Sequence, residues 1–195
     1  VHLDIDYLCQ IHGINKNNQF IIKFQQYDNY SVPTDGIAID DISIYEAYAD
    51  PDGYEAGFES GNFDAYWGTS LFTQVYSRVQ VTDQNGPYEG SYHLTMDSNS
   101  DTNYADNSYN LYVDFTKRGR GNYILDFYVK DFGDENHAQD GIYFSDDNGQ
   151  TFTLVYQFLP QTWTNQQWQH IELDVGSLLT QHGLTWSDRF VIKFR

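Results

Sequence analysis

One segment occurs twice in this chain, 170 positions apart, and that repetition constrains the architecture before any other feature. Residues 2–25 read HLDIDYLCQIHGINKNNQFIIKFQ, and residues 172–195 read ELDVGSLLTQHGLTWSDRFVIKFR. Laid together without gaps, they pair Leu3 with Leu173, Asp4 with Asp174, Leu8 with Leu178 and His12-Gly13 with His182-Gly183. Phe20, Ile22, Lys23 and Phe24 fall on Phe190, Ile192, Lys193 and Phe194, and four of the fifteen non-identical pairs are apolar exchanges such as Ile5 for Val175. The chain is therefore expected to be one repeat unit of 170 residues plus an overlap, an out-of-phase excerpt of a tandem array. A new unit is expected to open at about Glu55. Residues 1–48 would be the C-terminal part of one unit, 49–54 a linker, and 55–195 the N-terminal five-sixths of the next. The second copy stops before its version of Gln26–Tyr45. Because a missing strand leaves an open sheet edge, residues 26–48 are expected to fill that place, from within the chain or from a neighbouring copy.

The residues between the copies are those of a strand former. Seventeen Tyr and 13 Phe stand beside a single Met, and aromatic and β-branched side chains suit a pleated, half-buried surface. Alternating runs bounded by turn residues predict strands over Leu3–Asp6, Gln19–Gln26, Gly36–Tyr45, Ser91–Asp97 and Asn110–Phe115. The same pattern predicts strands over Tyr123–Lys130, Gly141–Ser145, Phe152–Phe158, Gln169–Asp174 and Arg189–Arg195. In the Tyr123–Lys130 run, Tyr123, Leu125, Phe127 and Val129 share one face, opposite Asp126 and Lys130. Asp147-Asn148-Gly149 and Gln84-Asn85-Gly86-Pro87 supply turn chemistry. Short helices are expected only at Tyr7–His12 and Ser177–His182, each ending at a glycine able to take the left-handed cap. The fold class read from this pattern is all-β: an antiparallel jelly-roll β-sandwich, favoured over an immunoglobulin topology because no Cys–Trp–Cys framework is present.

Charge narrows the partners. Ten Lys and Arg against 28 Asp and Glu give a net charge of −18, which excludes nucleic-acid backbones and anionic membranes as partners. It suits an extracellular setting where divalent cations neutralise clustered carboxylates. No run approaches the roughly 20 apolar residues of a membrane span, so no membrane insertion is expected. The lone Cys9 has Leu179 as its counterpart and reads as a small buried hydrophobe. Catalytic residues are not expected. The six histidines lack H-E-x-x-H spacing, no G-x-S-x-G occurs, and carboxylates are too abundant for any pair to point to glycoside hydrolysis. Asp97–Asn103 opens like an EF-hand loop but has no glycine at its sixth position, and its twelfth is Ser108, so it reads as a polar loop. Asp131-Phe132-Gly133-Asp134-Glu135, with Asp140 nearby, reads as a solvated acidic turn.

Four segments resemble known extracellular modules. Gly57-Phe58-Glu59-Ser60-Gly61, Gly90–Ser98 and the closing Asp35-Gly36-Ile37-Ala38-Ile39-Asp40-Asp41-Ile42 resemble MAM domains and the related reelin-type and bacterial cleaved-adhesin repeats. Ser145-Asp146-Asp147-Asn148-Gly149-Gln150-Thr151-Phe152 looks like the Asp-box hairpin that also occurs in reelin repeats. The paired cysteines of animal MAM domains are absent, which points to the disulfide-free bacterial relatives. The resemblance implies a concanavalin-like jelly roll for adhesion or cell-surface architecture, commonly with calcium at the sandwich edge. Carried over by position, the cation ligands would be Glu59, Asp97 and Asp41, with Asp40 on the opposite face of the same strand. The plain alternative is that Glu59 and Asp41 only accept backbone hydrogen bonds. Neighbouring repeat units or copies of the chain itself are the expected partners. A carbohydrate-binding module contacting a cell-surface glycan is the competing reading, with Trp163, in the loop Pro160–Asn165, as its stacking platform.

Overall fold

The computed structural model describes residues 3, 5–16, 20–24, 51, 53–69, 76–100, 102–103, 105–116, 123–132, 137–164 and 166–195. The chain divides into two compact units, Val1–Tyr45 and Glu46–Arg195. The expected strand Gly36–Tyr45 lies outside the described residues, as do Asp40, Asp41 and the whole of the 26–48 segment.

In the first unit, helix α1 spans Ile5–Ile11. It ends as its glycine predicts: Gly13 has φ +62°, and the amide of Ile14 donates to Cys9 O at 2.8 Å, with Cys9 buried. The second unit reproduces this element. Helix α2, Val175–His182, starts at Asp174, whose carboxylate accepts from the Ser177 amide at 2.8 Å. It closes with Gly183 at φ +69° and the Leu184 amide on Leu179 O at 2.9 Å. The expected strand Leu3–Asp6 is thereby corrected, since helix begins at Ile5. The second copy supplies the reason: an aspartate at the end of the apolar alternation caps a helix at the next residue and stops the strand.

The second unit is built of antiparallel strands: β1 Trp67–Thr69, β2 Ser77–Thr82, β3 His93–Ser98, β4 Tyr109–Val113, β5 Ile124–Val129, β6 Gly141–Ser145, β7 Thr153–Gln157, β8 Gln169–Asp174 and β9 Phe190–Phe194. One sheet has the order β1-β4-β9-β6-β7, and β2-β3 and β5-β8 form separate pairs. Strand β9 lies in the middle, with Ile192 in register with Leu111 of β4 and with Phe144 of β6. Its inward residues, with Leu111, Val113, Ile142 and Phe144, form the core, and Leu125, Phe127, Ile171 and Leu173 of the β5-β8 pair pack against them. Tyr109, Phe63, Trp67 and Phe194 extend that core as an aromatic cluster, and the Trp67 indole N–H donates to Tyr54 Oη at 2.8 Å.

Strands β6 and β8 have the limits the alternation predicts, and β5 exposes Ile124, Asp126 and Tyr128 while half-burying Leu125, Phe127 and Val129. Strands β1 and β2 lie outside the expected set. The first, with three residues, is too short to show a period of two, while the second carries it in Val79 and Val81 beside Arg78 and Gln80. The expected strand Gln19–Gln26 is corrected in its described part: 20–24 forms no strand among the described residues, and Phe20, Ile21, Ile22 and Phe24 are exposed. Its counterpart β9 is held by β4 and β6.

Candidate functional site

Strand pairing sets the positions of the carboxylates expected to hold a cation. Asp97 on β3 is the register partner of Arg78 on β2, and the guanidinium takes both its oxygens at 2.6 Å. The Arg78 charge is held all the more firmly by that hydrogen-bonded carboxylate. Glu59 follows Phe58, a residue with φ +59°, and turns back on the 90–92 segment. Its carboxylate accepts the Ser91 amide at 2.9 and 3.1 Å and the Tyr92 amide at 3.3 Å. Gly90, at φ +67°, permits this, because a Cβ there would overlap the Glu59 carboxylate. Glu59 thus braces the start of β3. Among the described residues, neither Glu59 nor Asp97 belongs to a group of three metal-ligating side chains.

The Asp-box-like hairpin is similarly committed to structure. Buried Ser145 donates to Asp147 Oδ1 at 2.7 Å and accepts the Gly149 amide at 2.8 Å. The Thr151 amide and hydroxyl donate to the two Asp147 oxygens at 2.9 and 2.6 Å. Desolvation pushes the Asp147 carboxyl up, but the donors from Thr151, Ser145 and Gln150 outweigh it and hold the group below the usual carboxylate range. Asp146 accepts from the Thr185 amide and hydroxyl, both at 2.8 Å, tying the hairpin to the loop before β9.

A group of ligand type not singled out in the sequence lies on the outer face of β5-β8. Register places Asp126 opposite Glu172 and Tyr128 opposite His170. Asp126, His170 and Glu172 bring ligand atoms within 4.8 Å of one another, and His170 Nε2 lies 3.0 Å from Asp126 Oδ1. Tyr128 is stacked between His170, at 4.6 Å, and Tyr88, at 3.5 Å. The hydroxyl contact with Tyr88, followed by desolvation, pushes the Tyr128 phenol up to about 12. Nearby, Lys130 donates to Asn85 O at 2.9 Å and lies over the Phe132 and Trp168 rings. All three ligand-type residues are exposed, so water satisfies them as well as a cation would. The sequence signal was the alternation of Glu172 and His170 on one strand; their meeting with Asp126 required knowing which strand pairs with β8.

Trp163, the expected glycan platform, directly follows a 3-10 turn over Pro160–Thr162, and its amide donates to Pro160 O. The half-buried ring meets Phe158 edge-on at 5.8 Å, so it contributes packing whether or not it binds a ligand. No helix among the described residues is long and apolar enough to cross a membrane. No family model, curated protein or solved structure matches the chain.

Proposed function

We propose that the chain is a non-catalytic structural or adhesive module with jelly-roll topology, used repeatedly in a large secreted surface protein and stiffened by calcium. The observation that carries this reading is the helix and glycine cap found at both α1 and α2, in segments 170 positions apart. Repetition of a whole capped element supplies reach and periodicity rather than new chemistry. Antiparallel sheets around an aromatic core agree with this, and so does the use of Glu59, Asp97, Asp146 and Asp147 as internal braces.

Calcium takes six to eight oxygen ligands, and the Glu59 and Asp97 oxygens already have protein donors. That pair as arranged does not fit the ion, since a cation at Asp97 would have to displace the Arg78 guanidinium. The calcium part of the proposal rests instead on the −18 charge, which divalent cations relieve. Thermal melts in calcium, in EDTA, and in sodium chloride of matched ionic strength test it. Calcium at about 100 times its Kd adds roughly 2.7 kcal/mol, or about 5–10 °C for a chain of this size. A melting temperature that is the same in EDTA, or that sodium chloride raises equally, removes calcium from the reading and leaves simple screening.

A further inference from the structure

Strand β9, third of five in its sheet, carries a lysine in a row that is otherwise buried. Gly68, Asn110, Lys193 and Tyr143 lie side by side in register across β1, β4, β9 and β6. Ile192 faces the core, so this row lies on the opposite face of the sheet. The Lys193 ammonium sits 3.6 Å from the centre of the Phe152 ring and 4.8 Å from that of Tyr143, whose hydroxyl turns away to donate to Gln139 O. Among the described residues no carboxylate forms an ion pair with it. Desolvation, followed by the charge of Arg195, holds the Lys193 amine below the usual lysine range, against the opposing pull of Asp106. Asn110 is 4% exposed, and its Oδ1 is buried without a hydrogen-bond partner. Gly68, on its other side, has no side chain to offer. A buried carboxamide oxygen left unpaired is uncommon in a folded protein and calls for a reason.

We infer that these two side chains are reactants: the Lys193 amine attacks Cγ of Asn110 and forms an amide that bolts β9 to β4. Directly opposite residues on one face of an antiparallel pair have Cβ atoms about 5 Å apart, within reach of a side chain as long as lysine's. The half-buried ammonium first gives a proton to water, which its desolvation favours. The neutral amine then swings from the Phe152 ring to the Asn110 carbon. The Nζ–Cγ bond forms, the Cγ–Nδ2 bond breaks, and Nδ2 departs as ammonia with a hydrogen shed by Nζ. No oxidant or co-reactant is consumed. Fixed register supplies what an intermolecular amide exchange lacks, because well-oriented neighbours react as though at very high concentration. The product is neutral, so the sheet no longer holds a desolvated charge. The repeat provides a control: Lys23 is the counterpart of Lys193, but 20–24 forms no strand among the described residues.

A covalent tie goes beyond the calcium reading, and the two fail separately. The 195-residue chain, incubated folded and then denatured, should weigh one ammonia less than its sequence. Proteolysis and tandem mass spectrometry should recover Asn110 and Lys193 in one linked species. Lys193→Arg and Asn110→Ala should each restore the full mass, and Lys23→Arg should not. The tie closes a loop of about 80 residues, so its loss in Lys193→Arg should lower the melting temperature by roughly 10–20 °C. A parent chain at its full sequence mass overturns the cross-link whatever the variants do, and so does a mass loss that survives Lys193→Arg. A loss that maps to Asn85-Gly86 or Asn148-Gly149 overturns it too, because a succinimide at either pair also sheds ammonia. Full mass with a melt that depends on EDTA removes the cross-link alone, and a cross-linked chain indifferent to EDTA removes only the cation.

Discussion

Truncating Ile192 and Ile22 to alanine, one at a time, should separate the two related segments by about 2 kcal/mol. Ile192 sits on β9 between Leu111 and Phe144, both buried, and is itself 3% exposed. Removing about three methylene equivalents costs roughly 2.4 kcal/mol of transfer free energy at about 0.8 each. A sheet hydrogen-bonded on both sides cannot collapse into the space, so the cavity term brings the total to roughly 3–4 kcal/mol. Ile22, 42% exposed, has less than two-thirds of that transfer energy to lose and no enclosed cavity to leave, so about 1.5 kcal/mol bounds its effect. Urea unfolding followed by far-UV circular dichroism covers both units, and tryptophan fluorescence assigns the transition of the second, where all four tryptophans lie. With a slope of about 2 kcal/mol/M, Ile192→Ala should lower the midpoint by roughly 1.5–2 M, while Ile22→Ala should leave it in place. A midpoint that falls equally in both variants would refute the argument that covering strands, and not the local sequence, give the segment its energy.

Two further perturbations test the braces of the second unit. A Cβ at Gly141, the first residue of β6, would run into the carbonyl oxygen of Tyr156 on β7, so Gly141→Ala should cost roughly 3 kcal/mol in urea unfolding; a neutral result would mean the two strands can separate there without loss. Asp147, whose carboxyl is depressed in the folded state, stabilises the ionised native form above the ordinary carboxylate pKa, and that contribution is lost as pH falls through the depressed value. Asp147→Asn should therefore be about 1 kcal/mol less stable than the parent at neutral pH, a figure kept small by solvent screening, with the gap closing in acid; a gap that does not change with pH would show that the charge contributes nothing.

Much of the second unit could be read directly from alternation, and the elements that could not are instructive. The limits of β8 coincide with its alternation because one of its faces turns inward, while those of β6 coincide because that strand is buried along its whole length. Strand β1 escaped because three residues carry no period, and Leu3–Asp6 misled because an alternating start looks the same whether a strand continues or an aspartate caps a helix. The candidate site was legible only in part. Glu59 could be named from its motif, but the Arg78 partner of Asp97 and the meeting of Asp126 with His170 and Glu172 depend on strand register. Register is a long-range property, set by which strands pair.

The capped helix belongs to the sequence alone. Its hydrogen bonds close within about five residues, and a left-handed glycine ends it, so α1 and α2 form alike wherever that stretch occurs. The state of Phe20–Phe24 against Phe190–Phe194 belongs to the tertiary structure. A strand's hydrogen bonds and burial come from other strands, and among the described residues β9 lies between two of them.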